Sequence, residues 1–285
     1  MKGYRYRPVR FYGTVFAITW AFWILAAFIQ NNDTAMLLMF LGLCTPAAVA
    51  VCTVLGSKSG ALKQDLKRKL TGFYRLRPKN ILAALLLFSG IVAVSILAST
   101  LFGQSLDQFA FADGFSFSVR GSSALLTILL ASVIEEMGWR GYGEDSIAQY
   151  GSWFWESILF GCIWSLWHLP LFFIDGTYQA GLAQLGLGFA LNFFISCMPL
   201  GFITTWVYVK NNRSMLACIL FHLFVNFCQE KIAMTPQTKC VETAVLTIAA
   251  VIVVLCNRDL FFETRHVGRL PQERGSFTIP TIFER

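Results

Sequence analysis

The chain has 285 residues, 56% of them hydrophobic and only 14% charged, with a mean hydropathy of +0.59. A soluble domain carries about 25% charged residues, so an ordinary soluble globular protein is excluded. The net charge of +7 invites a nucleic-acid partner, but the basic residues follow a different pattern.

Residues 11–30 form an uncharged apolar run behind Lys2, Arg5, Arg7 and Arg10. Its length of about 20 residues suits a helix crossing roughly 30 Å of hydrocarbon and exceeds the apolar core of a signal peptide. Runs 35–56, 81–103 and 180–209 are equally free of charge. Runs 121–137, 154–174, 214–233 and 241–257 are shorter or contain ionisable residues, and they bring the expected number of spans to about eight. The expected fold class is therefore all-α, a polytopic membrane protein.

The connections carry their own signals. Segment 57–80 is strongly basic, with Leu62, Leu66 and Leu70 at i, i+4, i+8 and Lys63, Lys67, Arg68 and Lys69 between them. That spacing predicts an amphipathic helix on the inner membrane surface, held by anionic lipid. Segment 104–120 reads as an outer loop, and 258–285, with Pro271 and Pro280, as a flexible polar tail. Pro46 and Pro199 should kink their helices, and Pro170 should end or bend the fifth span just after His168. With an inner N-terminus, the inner segments hold 20 of the 23 Lys and Arg, leaving only Arg120, Lys231 and Lys239 outside. That bias is the positive-inside pattern. The eight cysteines contain no C-x-x-C pair and read as packing residues.

Ionisable side chains inside spans are costly and by default mark function. The fourth span ends in Glu135, Glu136 and Arg140; the fifth contains His168; the seventh contains His222 and Asn226. Glu136 and Arg140 are i, i+4, as are His222 and Asn226, so each pair shares a helix face. Pairing of Arg140 with Glu136 would leave Glu135, rotated by about 100°, to face the interior as a general base. A plain helix-end ion pair is the competing reading for Glu136 and Arg140. A helix–helix hydrogen bond is the competing reading for each histidine or asparagine alone. Trp153 and Trp155 beside Glu156 suggest an interfacial belt outside any site. Helix rise places the three site spans at unequal depths, and their meeting point is expected between the inner surface and the midplane, open to the cytosol.

E-E-x-x-x-R, then a histidine, then H-x-x-x-N resembles the CPBP family of intramembrane proteases. That family includes the CAAX prenyl endopeptidases and the bacteriocin-processing or immunity (Abi) proteins. The resemblance covers 121–230 as a protease core, between an N-terminal three-helix region (1–120) and a last helix with its tail (231–285). One position departs from the family pattern: F-x-x-x-H is here Trp164-x-x-x-His168. The resemblance implies an endopeptidase in which Glu135 and His168 activate water, and His222 and Asn226 hold the oxyanion. Glu136, Arg140 and Trp164 would support the site or bind substrate. It implies a membrane-anchored, prenylated protein substrate that loses its C-terminal tripeptide. No cofactor is expected; zinc on Glu135, His168 and His222 stays open, as does a catalytically silent immunity or scaffold protein on the same fold. Both termini are expected in the cytoplasm. The membrane would be the plasma membrane in a prokaryote or the endoplasmic reticulum in a eukaryote.

Overall fold

The computed structural model describes residues 4–29, 31–113 and 124–263. Arg120, His266 and most of the expected tail lie outside the described residues. Eleven helices follow in order: α1 (Pro8–Ala27), α2 (Asn32–Leu55), α3 (Gly60–Thr71), α4 (Pro78–Ser99), α5 (Ala124–Gly138), α6 (Glu144–Ala148), α7 (Trp153–Trp167), α8 (Tyr178–Leu185), α9 (Leu187–Lys210), α10 (Met215–Lys231) and α11 (Pro236–Cys256). Among the described residues the only strand-like pairing is a single antiparallel bridge, Phe111 with Ile232. The protein is an all-α integral membrane protein. Among the described residues six stretches are long and apolar enough to cross a bilayer: Pro8–Ala27, Asn32–Leu55, Pro78–Phe102, Trp153–Phe173, Leu187–Lys210 and Pro236–Cys256. The other two expected spans correspond to α5 and α10, the shorter helices that carry Glu135, Glu136, His222 and Asn226.

Two apolar clusters fill the bundle. One joins α4, α9, α10 and α11 through Phe88, Ile203, Phe221 and Leu246; the other joins α1, α2 and α7 through Phe11, Val15, Ala50 and Phe160. Large side chains such as Phe40, Leu86, Ile195, Ile248 and Leu255 point outward, where lipid tails replace water as their surroundings. α5 runs between the clusters, packing on α2 and α10. Its contact with α2 demands a glycine: a Cβ on Gly138 would lie 2.4 Å from Pro46 Cβ.

Four details differ from the sequence expectations. Run 180–209 is not one helix, because Gly186 at φ +136° separates α8 from α9. α3 is amphipathic but is not simply laid on lipid. Leu62 and Leu66 are buried, and Lys69, read as part of the basic face, is 0% exposed. Its ammonium pairs with Asp145 and donates to the Arg140 carbonyl at 3.0 Å. Residues 259–263 are not free tail: Leu260 and Phe261 are buried and Phe262 stacks on Phe154. Glu156 is no interfacial residue; it is 1% exposed and accepts from Thr205 Oγ1 at 3.0 Å.

Asp65, Lys69, Asp145 and Arg213 form one ion network that ties α3 to α6 and to the α9–α10 turn. Asn212 and Arg213 both have positive φ in that turn, a backbone cost that the network offsets. Burial alone would raise the Asp65 pKa, but Arg213 and Lys69 outweigh it and hold the carboxyl below its ordinary range. A depressed carboxylate pKa contributes stability above the unfolded value, lost as pH falls through the folded one. The melting temperature in detergent should therefore hold at neutral pH and fall below about pH 4. Asp65→Asn should start lower and flatten that acid limb; an unchanged acid limb would exclude Asp65 as its source.

Candidate active site

α5 does not stop at Arg140. It passes through one wide turn with i+5 hydrogen bonding, Trp139–Gly143, into α6, the kind of local widening that recurs at functional sites. Glu135 therefore lies thirteen residues, about 20 Å of helix rise, from the end at Ala148. That length puts Glu135 deeper in the bundle than a helix ending at Arg140 would.

The two adjacent carboxylates have different partners. Glu136 is 1% exposed, and its Oε1 meets Arg140 Nη1 at 2.9 Å and His222 Nδ1 at 2.9 Å. Arg140, 2% exposed, also pairs with Glu144 through Nη2 at 2.9 Å and lies over the Phe160 ring. Glu135, one residue earlier, faces α7. Its Oε2 accepts from Trp164 Nε1 at 3.1 Å and more weakly from Trp139 Nε1 at 3.4 Å. Two indole N–H donors orient this carboxylate without a cation on it.

His168 caps the C-terminal end of α7, as the following Pro170 leads one to expect. Its Nδ1 lies 2.7 Å from the Trp164 carbonyl. A carbonyl only accepts, so Nδ1 carries the proton and Nε2 keeps a lone pair. The ring packs edge-on against Trp167, Phe193 and Trp164, and Trp164 in turn packs against His222.

Glu135, Trp164, His168, His222 and Asn226 all line one cavity of about 580 Å³. Glu136 and Arg140 lie behind its wall and do not line it. The residues farther along the cavity are Asn32, Asp175, Thr177 and Pro236. Asn32 and Pro236 begin α2 and α11, and Asp175 and Thr177 lie between α7 and α8, at the end of the bundle opposite Tyr4 and Glu263. The lining of the cavity thus runs from Glu135 towards the end of the bundle away from Tyr4 and Glu263. Arg140 sits inside the bundle rather than at its surface.

Some residues around the site were not foreseen. Trp139, buried behind the cavity wall and in contact with Glu135, has a readable signal, since it is i+4 from Glu135. Lys239 and Glu242 also line the cavity, whereas the sequence reading put Lys239 in an outer loop by starting the last span at residue 241. Among the described residues no group of three His, Cys, Asp or Glu side chains is arranged so that it could hold a metal ion.

Comparison with known proteins gives two matches. The family model described as Type II CAAX prenyl endopeptidase Rce1-like matches residues 120–228. CAAX prenyl protease 2 of Methanococcus maripaludis is 38% identical over 267 residues, covering 92% of this chain and 98% of that protein.

Removing one member of a buried ion pair leaves an uncompensated charge and costs about 3–5 kcal/mol. Arg140→Gln strands both Glu136 and Glu144 and should markedly lower the melting temperature or prevent accumulation of folded protein. Thermal unfolding in detergent measures this, and a shift within a degree or two would exclude Arg140 as the clamp.

Proposed function

The chain belongs to the family of type II CAAX prenyl endopeptidases, and we propose that it removes the C-terminal tripeptide of a prenylated protein with a water activated by Glu135 and His168. The supporting observation is the division of the carboxylate pair. Glu136 is engaged by Arg140 and His222, while Glu135 faces the cavity with only indole donors upon it.

Each step follows from a named atom. A water in the cavity donates to Glu135 and to His168 Nε2, the ring nitrogen left with a lone pair. Glu135 takes the proton as the water oxygen attacks the scissile carbonyl carbon. The carbonyl oxygen becomes an oxyanion near His222 and Asn226, one helical turn apart on α10. Protonated His222, with Nδ1–H engaged by Glu136, offers Nε2–H; Asn226 offers its amide N–H. The proton held by Glu135 then passes to the amide nitrogen, and the C–N bond breaks. The products are a prenylcysteine carboxylate and a tripeptide with a free amine. Trp164 holds Glu135 in line and walls the cavity, so the departure from the F-x-x-x-H pattern adds a donor while keeping an aromatic ring. No metal enters this sequence of steps.

The test is cleavage of a quenched fluorescent farnesylated CAAX peptide by the purified protein. Activity should persist with a chelator present. Asn226→Ala should lower kcat by about 10²–10³-fold, the effect of removing one oxyanion donor. Loss of activity in chelator with recovery on zinc would contradict the mechanism, and absence of cleavage by folded protein would contradict the substrate.

We propose that both chain ends lie in the cytoplasm, a reading supported by the Lys and Arg bias. A cysteine introduced at Ser57 should react with an impermeant thiol reagent only from the cytoplasmic side, and one at Asp107 only from the other. The reverse labelling would overturn this orientation.

A further inference from the structure

Among the residues that line the cavity, Lys239 is the single Lys or Arg. It sits near the start of α11, partly buried. Its ammonium donates to the Gln229 carbonyl at 3.2 Å and lies 4.7 Å from the Tyr178 ring centroid. None of the ion pairs among the described residues involves it. Glu242, three residues on, accepts from Gln229 Nε2 at 2.7 Å. A cation in a cavity between membrane helices is costly to maintain; the Glu242 and Glu230 carboxylates, which also line the cavity, act on it through space, but among the described residues none forms an ion pair with it.

The spacing to the reacting atoms can be read from α10. Gln229 lies seven residues beyond His222, about 10 Å along the helix axis. Three peptide residues in extended form also span about 10 Å. A scissile carbonyl held at His222 and Asn226 would therefore carry its third following residue to the depth of Gln229, beside the Lys239 ammonium.

We propose that Lys239 binds the C-terminal carboxylate of the substrate and so measures the length of the tripeptide to be removed. This rests on the CAAX reading above and adds to it a specificity determinant. An internal peptide bond, or a tail longer by several residues, presents no carboxylate at that distance. Gln229 and Tyr178 position the ammonium, and the floor of the cavity performs the chemistry.

The experiment compares two farnesylated CAAX peptides, one ending in a free carboxylate and one in a carboxamide, on the wild type, Lys239→Met and Lys239→Arg. The wild type should favour the carboxylate by about 10–100-fold in kcat/KM, mostly through KM, the scale of one charge-assisted contact. Lys239→Met should cleave the carboxamide as the wild type does and lose the preference. Lys239→Arg should keep most of it. A wild type that cleaves both peptides equally, or a Lys239→Met variant that retains the preference, overturns the assignment and leaves the CAAX reading standing. If Lys239→Met is inactive on both, Lys239→Arg decides: preference kept supports the role, preference lost overturns it. A wild type that cleaves neither peptide overturns the CAAX reading and this assignment together.

Discussion

The site is organised around a buried guanidinium. Arg140 lies in the bundle interior between Glu136 and Glu144 and over the Phe160 ring. Three charges this deeply buried persist only as a set. Their mutual attraction fixes the wide turn that joins α5 to α6, and the Glu136 carboxylate reaches on to His222 of α10. One cluster thereby positions two of the three site helices. The third, α7, is joined through Trp164 and its donor contact to Glu135. Once Glu136 is engaged, its neighbour on the same helix is the carboxylate left for chemistry.

A second ion network performs the comparable task at the basic end of the bundle. Lys69, Asp65, Asp145 and Arg213 pin the amphipathic α3 and the tight α9–α10 turn onto α6. The two networks share one short stretch of chain, since the Arg140 carbonyl accepts from Lys69 and from Tyr208. Residues 136–145 thus connect the end of the bundle rich in Lys and Arg to the floor of the cavity. The cavity extends the other way, past His168 and Asn226 to Lys239.

Much of this was legible in the sequence, for a physical reason. Apolar runs of membrane length have few alternative structures, so the spans could be read directly. Within them the ionisable residues stand out, and Glu135, Glu136, Arg140, His168, His222 and Asn226 were all named from that contrast. Pairing of Glu136 with Arg140 followed from i, i+4 spacing. What could not be read depended on contacts between distant segments. Lys69 looked like part of a solvated basic face until Asp145 was placed against it. Glu156 looked interfacial because its neighbours are tryptophans, and only Thr205 on α9 shows otherwise. Lys239 was missed because a charge was used to end a span, although the same rule that singled out His222 applies to it. The continuation of α5 through a wide turn into α6 is likewise announced by no periodicity.

The division of labour between the adjacent glutamates is the centre of the account, and matched substitutions test it most directly. Glu135→Gln and Glu136→Gln should be compared for cleavage of a farnesylated CAAX peptide and for melting temperature in the same detergent. The account predicts that Glu135→Gln loses cleavage by at least about 10²-fold while melting close to the wild type. Glu136→Gln, which unbalances Arg140 and His222, should melt well below it. A stable, inactive Glu136→Gln beside an active Glu135→Gln would contradict the assignment of the general base to Glu135.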